Sequence, residues 1–171
     1  MKNEDLVLIE KATPKDAKGL LEYLKQIGSE SDNLSFGAEG LGFSVEAEAQ
    51  YLAEIGNSRD SVMLIAKENG KIIGSASLTR LPRRMKHRGD FSVSVLMEYH
   101  NRGIGTALAE GIIDFARENN FAVIDLQVRS DNAAAIHLYE KLGFVKTGTH
   151  PSFFEIDGDG ISFDYMYLRI E

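Results

Sequence analysis

The sequence predicts an α/β protein with a mixed sheet, and three observations support this fold class. Short apolar runs alternate with segments of helical periodicity along all 171 residues. Asn69-Gly70 separates two strand-like runs, which is the pattern of a tight antiparallel hairpin. A glycine-punctuated turn at 103–105 joins an apolar strand to an amphipathic helix. We therefore expect one domain over residues 1–171.

The N-terminal half predicts a strand, two helices and the hairpin. Thr13 is placed as a helix N-cap with Pro14 at the first helical position, and Gly28 is placed to end that helix. The expected elements are a strand over 6–10, a helix from 14 to 27, a long glycine-rich loop over 29–44, a helix over 45–55 that stops near Gly56, and hairpin strands over 62–67 and 71–79.

The C-terminal half predicts two strand–helix pairs and two final strands. Asp131 is placed to cap the second helix of this half, which Gly143 would close. The expected elements are a basic loop over 80–88, a strand over 91–96, a helix from 104 that closes at Asn119-Asn120, a strand over 123–128, a helix over 132–142, and strands over 144–149 and 161–170 around a loop.

Composition argues against several classes of partner. The net charge of −7 gives no basic field for nucleic acid or an anionic membrane, and no apolar run is long enough to span a bilayer. Without cysteine, disulfides and thiolate metal sites are excluded, and His87, His137 and His150 are scattered without metal-ligand spacing. The acidic N-terminus lacks the apolar core of a secretory signal, so we expect a cytoplasmic protein with no metal.

The turn around Gly103 and Gly105 is suited to phosphate or pyrophosphate. Glycines let backbone N–H groups approach a ligand closely, and the helix that follows adds its positive N-terminal dipole. A Walker loop is excluded because Thr106-Ala107 follows Gly105 where lysine and then serine or threonine are required. A dinucleotide-binding turn fits poorly because Leu108 replaces a small residue. A tight turn with no ligand stays open.

Two motifs together resemble the GCN5-related N-acetyltransferase (GNAT) superfamily. The first is the strand, turn and helix of residues 95–108, and the second is NAAAIHLYEKLGF over 132–144. His100 departs from the glutamine or arginine usual there. The element order also matches, so the resemblance covers nearly the whole chain. It implies the acyl-CoA N-acyltransferase fold, with a twisted, mostly antiparallel sheet of six to seven strands and about four helices, and acetyl-CoA as co-substrate.

The resemblance also implies a set of cofactor-binding residues. In such proteins, two neighbouring strands splay apart, and unpaired backbone groups hold the pantetheine arm between them. The residues implied are Val93, Ser94 and Val95 along pantetheine, Asn101, Arg102, Gly103, Ile104, Gly105 and Thr106 around the pyrophosphate, and Asn132 and Tyr139 beside the cofactor. Arg102 could instead be solvated, and Asn132 could instead cap its helix.

Tyr139 is the expected general acid. A phenol can protonate the thiolate that leaves when an amine attacks a thioester directly, although a tyrosine here could also simply pack on the sheet. The general base is open. Gln127 stands where a branch of the family has glutamate, and an amide cannot accept the proton. Glu30, Asp32, Asp90 or a chain of waters are the alternatives.

The acceptor is expected to be a small primary amine or polyamine. Residues 30–43 and 150–160 correspond to the family's acceptor side, and both mix acids with aromatics such as Phe36, Phe43, Phe153 and Phe154. An amine on a protein, or a non-catalytic acyl-CoA sensor or interaction module, is the alternative. The basic run over 80–88 could grip an acidic partner or be a solvated loop. A homodimer is also possible, because many relatives are dimers.

Overall fold

The computed structural model describes residues 6–171, which build one seven-stranded sheet of order β1-β2-β3-β4-β5-β7-β6. All neighbouring strands pair antiparallel except β4 and β5, which are parallel. The elements are β1 (Val7–Lys11), α1 (Ala17–Glu30), α2 (Val45–Ile55), β2 (Ser61–Glu68), β3 (Lys71–Arg80), β4 (Arg88–Val95), α3 (Ile104–Glu118), β5 (Val123–Arg129), α4 (Ala133–Lys141), β6 (Val145–Ile156) and β7 (Asp159–Arg169). The predicted mixed α/β fold class is confirmed.

Helices cover both faces of the sheet. On one face, the Tyr23 hydroxyl of α1 lies 2.7 Å from Ser94 Oγ of β4, and α2 packs beside α1. On the other face, α4 brings the ring of Tyr139 edge-on to Phe91 of β4. The buried side chains of α3, including Leu108 and Ile112, pack on this second face next to α4. The core therefore lies in two layers around the central strands.

Helix α1 begins and ends later than predicted, at Ala17 and Glu30, and the predicted cap at Thr13 precedes a separate turn. Thr13 begins a single 3₁₀ turn with Pro14 at its first position, and Asp16 accepts a hydrogen bond from the Thr13 backbone N–H at 2.8 Å. The assignment of Gly28 as the helix end is wrong, because α1 continues to Glu30. Gly28 is buried there, and an added Cβ would lie 2.0 Å from the Gly37 carbonyl oxygen. The glycine allows the 31–44 loop to cross the helix.

Two hairpins close with paired left-handed residues. Asn69 and Gly70 have φ of 51° and 80°, as the tight turn between β2 and β3 requires, so this hairpin is confirmed. Asp157 and Gly158, with φ of 52° and 83°, form the second. The expectation of a loop over 150–160 is wrong, because this turn lets β6 and β7 continue to Ile156 and from Asp159.

The sheet is split at its centre, between β4 and β5. These strands pair only over Arg88↔Val123, Gly89↔Ile124 and Asp90↔Asp125. Beyond Asp90 they diverge, so the splay that the resemblance implied is present. Within residues 6–171, no helix is long and apolar enough to cross a membrane, and no group of three or more His, Asp or Glu side chains is placed to hold a metal.

Candidate acyl-cofactor site

A cleft of about 540 Å³ opens where β4 and β5 separate. Its walls come from the end of α1 with residues 31–34, the end of β4 with the turn that follows, the first turn of α3 and one side of α4. This volume lies in the range of small-molecule sites. The divergence of two central strands thus creates an elongated site whose floor is backbone with unused hydrogen-bonding groups.

The structure brings together all but one of the residues implied by the resemblance. Those lining the cleft are Val93, Ser94, Val95, Asn101, Gly103, Ile104, Gly105, Thr106, Asn132 and Tyr139. Arg102 is placed outside this lining. Its guanidinium lies 2.6 Å from Glu68 and over the ring of Tyr99, because the turn directs it toward β2.

The glycine turn presents unused donors to the cleft. Gly103 and Asn101 have φ of 76° and 61°, which turns the chain sharply into α3. Within the described residues, no acceptor takes the backbone N–H groups of 103–106, and the first bond of this helix runs from Ala107 N to Gly103 O. Unsatisfied N–H groups at a helix start form an anion site, so the local chemistry fits a pyrophosphate.

Tyr139 is held rigidly inside the cleft. Tyr139 is only 6% exposed, and its ring contacts Phe91 and Phe144 at centroid distances of 6.1 and 5.7 Å. No described residue forms a hydrogen bond to its hydroxyl, which leaves that group for a ligand. Burial raises the pKa of the Tyr139 phenol, so the hydroxyl stays protonated at neutral pH. A neutral O–H at a cleft wall can donate a hydrogen bond to a developing anion.

His100 has a role that sequence reasoning missed. Its Nε2 donates to the carbonyl oxygen of Val95 at 2.8 Å, and the ring lines the cleft. A carbonyl only accepts, so this bond fixes Nε2 as the protonated nitrogen. His137 and Lys141 also line the cleft, although neither residue was assigned to a site from the sequence. The helical spacing of Ala134, Leu138 and Lys141 on α4 was the available signal.

Asn132 caps α4. Its Oδ1 accepts from Ala135 N at 3.2 Å, so the helix cap is Asn132 and the prediction of Asp131 was wrong by one residue. Asp131 instead binds the Arg129 guanidinium, with Oδ1 2.7 Å from Nε. Capping uses only the oxygen of the amide, and its NH₂ group remains available at the cleft.

The candidate bases lie in different environments. The Glu30 carboxylate lines the cleft but accepts from Met97 N at 2.9 Å and Gln26 Nε2 at 3.1 Å. Asp32 lines the cleft, and no donor in the described chain binds its carboxylate. Asp90 lies outside the lining and accepts from Gln127 Nε2 at 3.3 Å. Loss of hydration raises the pKa of the Asp90 carboxyl, although the residue as a whole is exposed.

The two predicted acceptor segments differ in position. Residues 30–34 line the cleft, whereas no described residue of 150–160 does. Phe153 and Phe154 instead pack on Phe163, with ring centroids 4.8 and 4.3 Å away. The acids of residues 30–34 are therefore present at the cleft, whereas Phe153 and Phe154 are packed away from it.

Comparisons with known proteins agree with this geometry. Residues 30–144 match the model of the acetyltransferase (GNAT) family. The chain is 34% identical over 94 residues to the N-alpha-acetyltransferase RimI of Mycobacterium tuberculosis, covering 54% of this chain and 58% of that protein. It is 31% identical over 111 residues to the L-amino acid N-acyltransferase MnaT of Escherichia coli, covering 64% of each. The matched region thus spans less than two thirds of these relatives.

Similarity to solved structures extends over nearly the full length of the chain. The GNAT-family acetyltransferase of Streptococcus pneumoniae is 32% identical with a TM-score of 0.93, covering 97% of this chain and all of that one. The splayed strands, the glycine turn and the matched family model lead to the same conclusion: the chain belongs to the GNAT acetyltransferase family.

Proposed function

We propose that this chain is an acetyl-CoA-dependent N-acetyltransferase that acetylates a primary amine by direct attack in a ternary complex. The observation that carries the proposal is the protonated, unpartnered Tyr139 hydroxyl in the cleft between β4 and β5. Acetyl-CoA supplies an acetyl group activated as a thioester. We place the reaction in the cytoplasm, a reducing compartment in which a chain without cysteine loses no disulfide.

The cofactor-binding role is assigned mainly to backbone. The N–H groups of 103–106 bind the pyrophosphate, and the free edge of β4 at Val93, Ser94 and Val95 pairs with the amides of pantetheine. The amide NH₂ of Asn132 donates to the same arm. His100 orders the end of β4 by holding the Val95 carbonyl. Arg102, paired with Glu68, supports the turn from outside.

Tyr139 acts as the acid. Its O–H donates to the departing sulfur and stabilises the thiolate as negative charge develops. The rings of Phe91 and Phe144 hold the phenol in place, so little order is lost when the reaction occurs. The attacking amine must also lose a proton, and Asp32 or water ordered on it accepts it.

The acceptor is proposed to be a small primary amine or polyamine. Asp32 offers an unoccupied carboxylate at the cleft, with Glu30 next to it, and a cationic amine is attracted to both. A second candidate is the α-amino group of a protein N-terminus. The similarity to an N-alpha-acetyltransferase supports this candidate.

The test is release of thiol from acetyl-CoA with a panel of amines, amino acids and short peptides. We expect turnover with small cationic amines, and Tyr139→Phe should lower kcat roughly 100-fold while leaving cofactor affinity unchanged. Tyr167→Phe, which removes a hydroxyl on β7 outside the cleft lining, is the matched control.

Three results would redirect the proposal. Unchanged turnover in Tyr139→Phe would remove the acid role. Activity only with peptides would select the protein amine. Tight acetyl-CoA binding without turnover on any acceptor would identify a non-catalytic sensor or interaction module.

A further inference from the structure

A second cavity lies at the far end of β4 from the cleft. It has a volume of about 590 Å³ and is formed by the end of β3, the 81–87 loop and Asn120, which follows the end of α3. Seven residue steps of β4 separate Arg88 from Val95, or roughly 23 Å at the usual rise of a strand. The two sites are therefore distinct. The polar residues around this cavity are Asp60, Arg80, Arg83, Lys86, His87 and Asn120.

Arg80 forms a rigid floor for this cavity. Its side chain is 18% exposed, its guanidinium lies 3.8 Å from the centroid of the Phe121 ring, and its Nε donates to Asp60 at 2.7 Å. Its Nη atoms donate to the carbonyls of Lys86, Asn119 and Arg59 at 2.6, 2.8 and 3.4 Å. These bonds use four of the five guanidinium N–H groups, which leaves one donor on Nη1.

Arg83 and Lys86 add charge that the protein does not neutralise. In the part of the chain that the structure describes, neither side chain has a hydrogen bond or an ion pair, whereas Lys67, Arg88 and Arg102 are all paired with carboxylates. Arg83 also has a φ of 56°, a backbone conformation that costs energy for a residue other than glycine. Two unpaired cations therefore border one concavity in a chain whose net charge is −7.

We propose that this cavity binds a small polyanion, a molecule with two or more phosphate groups. Its volume matches that of small-ligand sites, and phosphate oxygens would accept from Arg83, Lys86 and the remaining Nη1 donor of Arg80. A nucleic acid is disfavoured because the rest of the surface is acidic. The proposal is independent of the acetyl-transfer reaction, since no residue of the cleft takes part.

The test is titration of the full chain with inorganic tripolyphosphate, with and without excess coenzyme A. Binding is measured by calorimetry and by amide NMR shifts. We expect saturable binding that persists with coenzyme A and shifts the amides of 81–87. Arg83→Gln with Lys86→Gln should weaken it at least tenfold. Lys15→Gln with Lys25→Gln, which removes the same charge from α1 and the turn before it, should change it less than twofold.

A conservative pair guards against a folding artefact. Arg83→Lys with Lys86→Arg keeps the charge and should keep affinity within threefold, and all variants should melt at the wild-type temperature. An equal loss of tripolyphosphate affinity in the Arg83/Lys86 and Lys15/Lys25 glutamine variants would overturn the proposal, because binding would then depend on net charge alone. Complete displacement by coenzyme A would overturn it also, since the anion would then occupy the glycine turn.

Discussion

The side-chain amide of Asn132 has two chemically different ends, and the structure uses only one of them. The oxygen caps α4 through Ala135 N, so the capping role is established, and the cofactor role proposed for the NH₂ group does not compete with it. The two interpretations that the sequence left as alternatives are therefore compatible.

Asn132→Asp separates the two ends. Aspartate caps as well as asparagine, so the free energy of unfolding should stay within about 0.5 kcal/mol of wild type. The variant loses the donor, so acetyl-CoA affinity should fall about tenfold. Asn132→Ala, which loses both ends, should cost about 1 kcal/mol of stability in addition. Calorimetry and chemical denaturation measure the two effects. Wild-type affinity in Asn132→Asp would show that the NH₂ group binds nothing.

Gly105 tests the anion site directly. An added Cβ would meet Leu138 Cδ1 at 3.4 Å and Val95 Cγ2 at 3.8 Å, which are ordinary contacts, so a Cβ at this position is tolerated sterically. Gly105→Glu should fold but lower coenzyme A affinity at least ~100-fold, because it places a negative charge where phosphate charge is proposed. Gly105→Ala is the matched control and should bind far better. Equal binding by both variants would mean that the pyrophosphate lies elsewhere.

At the scale of elements, α1 contains two glycines with opposite consequences. Gly28 touches the Gly37 carbonyl so closely that Gly28→Ala must push the 31–44 loop away, whereas a Cβ at Gly19 meets only Ile72 Cδ1 at 3.5 Å. We expect Gly28→Ala to destabilise the fold by about 3 kcal/mol and Gly19→Ala to stabilise it by up to ~1 kcal/mol. Urea denaturation of both variants checks this. Similar values for the two would contradict the close packing of the loop.

The same glycine shows where prediction from sequence ends. A glycine that ends a helix and one that admits a crossing loop look identical in sequence, because the second depends on a residue nine positions away. The hairpin at Asn69-Gly70 was predicted correctly, because the preference of these two residues for left-handed conformations is a local property of the sequence. Asp157-Gly158 is the same kind of residue pair, and it forms a tight turn where a loop was expected. Element order and type were predictable because hydrophobic periodicity is local too.

The candidate site divides in the same way. Glycines and Tyr139 were predictable because motifs within short segments carry them. Glu68 as partner of Arg102, and the Val95 carbonyl as partner of His100, were not, since each depends on how the chain turns after β4. The splay itself followed only from resemblance, because no local pattern states that two adjacent strands stop pairing after Asp90.

At the scale of the whole molecule, α1 is fixed to the cleft from one side. The Tyr23 hydroxyl meets Ser94 on β4, and Glu30 at the end of the helix binds the Met97 backbone. Folding of α1 and ordering of the cleft wall are thus coupled. Tyr23 of α1 and Tyr139 of α4 pack against opposite faces of β4. Ionisation of these two buried phenols therefore depends on how well the helices on each face of the sheet are packed.

These two phenols predict how stability depends on alkaline pH. Burial raises the pKa of Tyr23 to about 12 and that of Tyr139 further, from an ordinary value of 10.0. Above pH 10 the unfolded chain loses these protons while the folded chain keeps them, so these two groups leave stability unchanged below pH 10 and lower it above pH 10. The slope is about 1.4 kcal/mol per pH unit for each tyrosine until the folded group ionises.

Tyr23→Phe isolates one of these contributions. The variant lacks the hydrogen bond to Ser94, so its free energy of unfolding at pH 8 should be about 1 kcal/mol lower than that of wild type. Between pH 10 and 12, however, the stability of the variant should fall more slowly than that of wild type, by the slope of one tyrosine. Lysines titrate in both proteins and cancel in the difference. Urea denaturation at half-unit pH steps measures it. Parallel curves would show that Tyr23 ionises as easily in the folded protein as in the unfolded one, and so that α1 does not seal this face of the strand from water.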